Sequence, residues 1–401
     1  MTSFKTGLRV EQNKTHFDIT VVGGGMVGAA AACLLAQQGW RIAVVEQAEP
    51  ERYAPDQAMD LRVSAISPAS VRVLQQAEVW DAVTAMRLRA YKELATWEVP
   101  GLETHFRAEE AGVSELGFIV ENRLIQLALW QKLQSLPNVQ LFCPAQVTAL
   151  SQSETNAAIT LTDGRIITAS WLLAADGANS KLRTLAKIGI NRWDYRQDCL
   201  LINVDLDDEA PAITWQQFYP DGPRAFLPLA GNKASLVWYD KPARIAQLTA
   251  MPPALLDKEV KRHFPEQLPA CKVTHSGSFP LTRRHAQQYY QGRVILLGDA
   301  AHTIHPLAGQ GVNLGFKDVA CLVNLWQTAQ QKQQSFSVEH LKQYERARLC
   351  DNTLMQSAMD LFYAGFSLQH TPVKVLRNIA LLAAENAGWL KQKALRYALG
   401  L

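Results

Sequence analysis

No stretch of this 401-residue chain approaches the ~18 consecutive apolar residues that a membrane-spanning helix needs. The first sixteen residues scatter Lys5, Arg9, Glu11 and Lys14 among polar neighbours. They lack the apolar segment of a secretory leader and read as a loose tail. A soluble or surface-bound protein is expected. Cysteine is sparse: six residues, at 33, 143, 199, 271, 321 and 350, with no C-x-x-C pair and no metal-like grouping with histidine. A chain of this length needs no disulfides to hold a core, so reduced thiols, no metal and a cytoplasmic setting are expected. Charge of one sign is missing too. The formal net charge of +3 is too small for a nucleic-acid binder. There is no internal repeat and no low-complexity stretch.

What is present is apolar residue in quantity, 48% against 19% charged, enough for two packed domains or one with an inserted layer. Residues 17–22 form a short apolar run that meets glycines at once, as a buried parallel strand would. Residues 29–38 are rich in alanine and leucine and stop at Gly39, a helix with a glycine cap. Residues 40–45 are the next strand, with Glu46 at its end. Together these make a βαβ unit. Residues 64–134 read as mostly helical, 139–150 and 158–162 as strands, and Asp163-Gly164 as a hairpin turn ahead of another buried strand at 171–175. Near Cys199 the character changes to short β-rich runs separated by Pro220-Asp221-Gly222-Pro223 and Gly231-Asn232, an antiparallel sheet inserted into an α/β frame. From Val312 onward the pattern is helical.

Three motifs carry chemistry. Gly23, Gly25 and Gly28 form G-x-G-x-x-G between a strand and a helix, where glycines permit a tight turn, backbone approach to a pyrophosphate and close helix–strand packing. The helix N-terminus adds unpaired N–H groups and the positive end of a dipole. Glu46 falls 18 residues past Gly28, near the ~20 expected of a ribose-binding acid. The second motif, Asp176-Gly177 with Ser180 and Arg183, reads by itself as a capped turn. The third runs from Gly298-Asp299 through His302 to Pro306, Gly309, Gln310, Gly311, Val312 and Asn313. There Asp299 can meet a sugar-like hydroxyl chain. The glycines admit backbone to a flat ring, and the following helix N-terminus suits negative charge on that ring.

In this order the three runs resemble the single-component, FAD-dependent aromatic hydroxylases of the para-hydroxybenzoate hydroxylase type, over about residues 17 to 365. The stretches at 60–67, 120–123, 214–218, 221–229, 279–281 and 359–366 are similar to the ubiquinone-biosynthesis branch. The resemblance implies a Rossmann-like FAD-binding domain with an inserted antiparallel-sheet substrate domain and a helical C-terminus. The expected division is a tail at 1–16, the FAD-binding domain at 17–198 and 286–365, the sheet mainly at 199–285, and an amphipathic helical region at 366–401. It also implies hydroxylation of a polyprenyl benzoquinol at its last open ring position, with O2 and NAD(P)H, through a flavin C4a-hydroperoxide. Gly23, Gly25, Gly28 and Glu46 would hold the ADP part of FAD, with Arg123 and Asp299 along the ribityl–pyrophosphate and 309–313 against the ring. Asp176 would lie where FAD and the transient NAD(P)H meet, and Arg62 near the flavin unless it forms an ordinary surface salt bridge. No second G-x-G-x-x-G exists, as expected if NAD(P)H only docks and leaves.

The substrate side is less marked. His302 and His305 are the nearest candidates for a base that deprotonates a phenol, or are structural. Trp215, Phe218, Phe226, Trp238 and Tyr239 either line an apolar pocket or are sheet core. Leu376, Ile379, Ala383, Ala387, Leu390, Ala394 and Tyr397 recur at three- and four-residue steps. That stripe, in a segment with five basic residues against Glu385, would contact a membrane surface, a partner subunit or the FAD domain. The same FAD motifs would also serve hydroxylation at another ring position, a flavin dehydrogenase or prenyl reductase, or a non-catalytic flavoprotein subunit of a biosynthetic complex.

Overall fold

The computed structural model describes residues 15–303, 311–367 and 388–400. The tail up to residue 14, His305, Pro306, Gly309 and Gln310, and Leu376, Ile379, Ala383 and Ala387 of the C-terminal stripe lie outside the described residues.

The strand Thr15–Val22 lies at the middle of the first sheet because its apolar residues must be covered on both faces. It runs parallel to Ile42–Val45 on one side and to Ile166–Ala174 on the other. Val139–Phe142 extends the sheet past the former, and Val294–Leu296 past the latter. Gly164, at a φ of +85°, turns Ala157–Leu161 back onto Ile166–Ala174 as a hairpin. The helix Met26–Gln37 packs its alanines on this sheet, with nine of its twelve residues buried.

A second sheet of eight strands is ordered His302–Thr303, Cys271–Ala286, Ile190–Leu206, Lys233–Asp240, Arg224–Pro228, Ile213–Gln217, Glu93–Trp97 and Thr104–Arg107. Its period-two alternation sorts side chains onto two faces. Leu200, Ile202, Phe226, Leu236 and Trp238 join one core with Ile245, Leu248 and Leu256 of the helices Pro242–Thr249 and Pro253–His263. Cys199, Leu201, Ala225, Leu227, Val237 and Tyr239 point the other way, into a second core with Ala65 and Ile119.

The segment 64–134 is not mostly helical. It contains the strands Val63–Ile66, Arg89–Tyr91, Glu93–Trp97, Thr104–Arg107 and Gly117–Glu121, three of which pair as a small sheet of their own. Each is three to five residues long with mixed burial, too short for a period of two to stand out from the helices around it. The C-terminal stripe also changes. Gly388, at a φ of +52°, caps the helix Trp389–Leu399. There Leu395 and Leu399 are buried against Ala108, Ala111 and Leu116, and Ala394 and Tyr397 face outward.

Candidate active site

The two sheets enclose a cavity of about 630 Å³ that begins at the glycine loop and ends on the apolar face of the second sheet. At its first end the wall is backbone. A Cβ added to Gly23 would lie 2.3 Å from the Ala175 carbonyl oxygen, and one on Gly28 would lie 1.9 Å from that of Gly23. Gly25, by contrast, meets nothing within 4 Å and opens on the cavity as the cap of the helix Met26–Gln37. No side chain caps that helix and no acid occupies its first turn, so its free N–H groups are left for an anion. Gly24 is pinned from both sides. Glu46 Oε2 accepts its N–H at 2.6 Å, while Trp130 Nε1 and Gln126 Nε2 donate to its carbonyl at 2.7 and 2.9 Å.

Farther along, Asp299 sits in the turn Gly298–Ala300 just past the strand Val294–Leu296, and its open surface faces the cavity. Being surrounded by protein pushes its carboxyl above the usual range, against the pull of His302, Arg62 and Arg284. Arg62 and Arg284 also line the cavity. The Arg62 guanidinium lies 4.0 Å from the Phe279 ring centre, and Arg284 donates to Ala178 O and Asn179 Oδ1 at 2.6 and 2.7 Å. Gly311 and Val312 begin the helix Gly311–Gln331 at the cavity edge.

Behind the Asp299 turn lies a buried ionic network. Asp318 Oδ2 accepts the Gly298 N–H at 3.0 Å and lies 2.6 Å from His302 Nε2. Its other oxygen accepts Arg348 Nε at 2.7 Å. Arg348 continues to Asn352, whose amide donates to the Tyr289 hydroxyl, 3.2 Å from His285 Nε2. Burial alone would raise the Asp318 carboxyl, but His302 and Arg348 outweigh it and hold it below the usual carboxylate range. The network ties the helices Gly311–Gln331 and Val338–Ser367 to the turn that presents Asp299.

A family model described as an FAD binding domain matches residues 16–356. The chain is 50% identical to 3-demethoxyubiquinol 3-hydroxylase of Escherichia coli over 96% of its own length and 98% of that protein's. It is 34% identical to the ubiquinone hydroxylase UbiL of Rhodospirillum rubrum, over 96% and 89%. The chain belongs to the FAD-dependent hydroxylases of the ubiquinone-biosynthesis branch. It shares its fold with a solved p-nitrophenol 4-monooxygenase, PnpA of Pseudomonas putida DLL-E4, at a TM-score of 0.77 and 20% identity, covering 96% of this chain and 97% of that one. FAD suits the site on its own geometry, since the open space at Gly25, the uncapped helix beyond it and the facing Asp299 leave room and partners for a dinucleotide.

Not all sequence-read positions of this hydroxylase gather on the cavity. Gly25, Arg62, Asp299, Gly311, Val312, Trp215 and Tyr239 line it. Glu46 stands one residue back, bonded to the loop. Arg123 is held by Asp60 at 2.9 Å and by the carbonyls of Glu51 and Arg52. Asp176 Oδ2 caps the short helix Lys181–Leu185 through the Lys181 and Leu182 N–H groups, while its buried Oδ1 has no partner. Asn313 is buried and spent on Ser67 N–H, Ser70 Oγ and the Ala65 carbonyl, so it fixes the helix start. His302 is buried in the ionic network and does not line the cavity. Phe226 and Trp238 fall on the opposite face of the second sheet, Phe218 lies off the cavity lining, and Trp215 stacks its ring on Phe226 at 5.5 Å.

Sequence reasoning passed over Asp318, Arg284, Trp130 and Gln216. For Asp318 a signal existed: it is an acid set in the apolar stripe Leu314, Val319 and Leu322, a position that demands a buried partner.

Proposed function

We propose that this chain hydroxylates a polyprenyl benzoquinol of the ubiquinone pathway, inserting one oxygen atom of O2 at the open ring carbon of a demethoxyubiquinol with NAD(P)H as electron donor. The observation that carries this reading is that one cavity is lined by Gly25 of the glycine loop at one end and by the apolar Leu201, Ala225, Leu227, Val237 and Leu281 at the other. Two relatives named for hydroxylation of quinones in that pathway support it. In this reading the glycine loop and Glu46 hold the ADP half of FAD. Arg123 and Asp299 lie along its ribityl–pyrophosphate, Asp176 stands where FAD and the transient NAD(P)H meet, and Arg62 and 309–312 serve the ring end. What FAD supplies when bound is the passage of electrons from NAD(P)H to O2. The chain supplies dryness and aim. The second sheet, 199–285 in the main, walls off water and offers carbon surface to the ring and the start of its tail. Tyr239, whose phenol burial pushes well above its ordinary pKa, is a neutral hydrogen-bonding group there and not a base.

Aerobic and anaerobic assays with NAD(P)H and a short-chain benzoquinol test this. The expected product carries one atom from isotopically labelled O2. Turnover of the quinol without O2 would favour the flavin dehydrogenase or prenyl reductase reading and overturn ours.

Among the described residues no helix is long and apolar enough to cross a membrane. We extend the proposal to a peripheral enzyme at the inner face of the membrane, beside the other enzymes of its pathway. The greasy substrate, the basic excess in 371–401 and the 68% exposed Trp389 support this. Binding to anionic vesicles should weaken severalfold in Lys374→Glu/Arg377→Glu; unchanged co-sedimentation counts against a membrane role for this segment.

A further inference from the structure

The far wall of the cavity is largely carbon, yet it carries a carboxamide with no partner. Gln216 lies in the strand Ile213–Gln217, is 8% exposed and lines the cavity. Among the described residues neither end of its amide is hydrogen-bonded, although it stands between neighbours that are fully committed. Thr214 donates its hydroxyl to the Phe226 carbonyl at 2.8 Å. Gln217 donates to the Glu98 carbonyl and accepts from the Tyr219 hydroxyl. The cross-strand partners of Gln216 are Ala225, which offers only a methyl group, and Thr96, which makes no side-chain hydrogen bond to it. Asn203 Oδ1 and Ser235 Oγ are unpartnered because they are sealed in, whereas the Gln216 amide keeps surface, and that surface is cavity.

A buried carboxamide is costly to leave unpaired, and a cavity wall that holds one is built to pair it with a ligand. The Tyr239 phenol, on the same face, already bonds Cys199. On the proposed function above, the ligand here is a quinol ring with hydroxyl groups at its edge. We propose that Gln216 is a specificity-determining residue that hydrogen-bonds a ring hydroxyl of the quinol and so fixes which ring carbon faces the Asp299 end of the cavity. An apolar pocket alone discriminates weakly between rings of similar shape, while a buried amide strongly disfavours a ring that leaves it unpaired.

The test pairs Gln216→Met, which keeps length and volume but neither donor nor acceptor of an amide, with short-chain quinols from which each ring hydroxyl is removed in turn. FAD content and thermal unfolding of the purified holoenzyme establish that the variant is folded. For wild type, kcat/KM should fall with each removal, and more for the hydroxyl that Gln216 holds. In the variant, kcat/KM for the parent quinol should fall about 10- to 100-fold. The added loss on removing that one hydroxyl should largely vanish, and NAD(P)H oxidation should run on without matching product. Equal losses in wild type and variant for every analogue overturn the assignment and leave the proposed function standing. Failure of wild type to hydroxylate any quinol overturns both.

Discussion

Behind the glycine loop the cavity is backed by backbone at Gly23 and Gly28 that cannot take one more atom, whereas at the second sheet its wall is side chains standing on a strand. The first wall is fixed by what is missing: Gly23 and Gly28 bring two strands and a helix within carbonyl contact of one another. The second is set by alternation, so adjacent residues such as Leu236 and Val237 do different jobs. Binding an invariant cofactor suits the rigid construction. Choosing a substrate suits the exchangeable one.

Four substitutions press on that contrast. The largest effect is expected behind the rigid end. Asp318→Ala removes the buried carboxylate shared by Arg348 and His302, leaving Arg348 with Asp351 alone, and should cost about 3–5 kcal/mol in urea unfolding, with loss of bound flavin. The acid limb of the stability profile is a second reading of the same site. Because the folded carboxyl titrates below its unfolded value near pH 4, wild type keeps this increment above about pH 4 and loses it as pH falls further. The variant should lack that loss; an unaltered acid limb would mean the network contributes nothing through Asp318.

Next comes the neighbouring pair. Leu236→Ala, in the core away from the cavity, should cost about 2–5 kcal/mol with KM for the quinol nearly unchanged. Val237→Ala, on the cavity face, should cost about 1.5 kcal/mol and shift KM. If Leu236→Ala moves KM and Val237→Ala does not, the two faces are wrongly assigned. Gly28→Ala should cost about 1–3 kcal/mol from a Cβ forced onto the Gly23 carbonyl, read out by calorimetry. Its flavin content should nonetheless drop sharply, since the loop must shift to make room. Full flavin occupancy in Gly28→Ala would show that the rigid end is softer than its packing implies.

Legibility in the sequence follows the same divide. The βαβ unit could be read because its signals are local: an apolar run, glycines at set spacing, an alanine-rich helix and Glu46 at a set distance. The Asp299 run was equally plain. What escaped depends on contacts between distant segments. A period of two shows that Phe226 and Leu227 face opposite ways but not which way the cavity lies. Five short strands between Val63 and Glu121 carry too few residues for their pattern to outweigh the helices between them. Asn313 has the spacing of a cofactor residue, yet its three hydrogen bonds all go to the segment 65–70. Gln216 looks like any polar residue in a β-run until its lack of a partner is seen.

The central position of Thr15–Val22 has a consequence for how the molecule is made. Made early among the described strands, it finds one of its two neighbours only at Ile166–Ala174, and the turn that faces its glycine loop is anchored by Asp318. Every truncated chain ending before that helix therefore displays the loop and helix dipole without the opposite wall. Nucleotide capture belongs to the finished polypeptide, and nascent chains leaving the ribosome carry an exposed apolar sheet edge until its last third arrives.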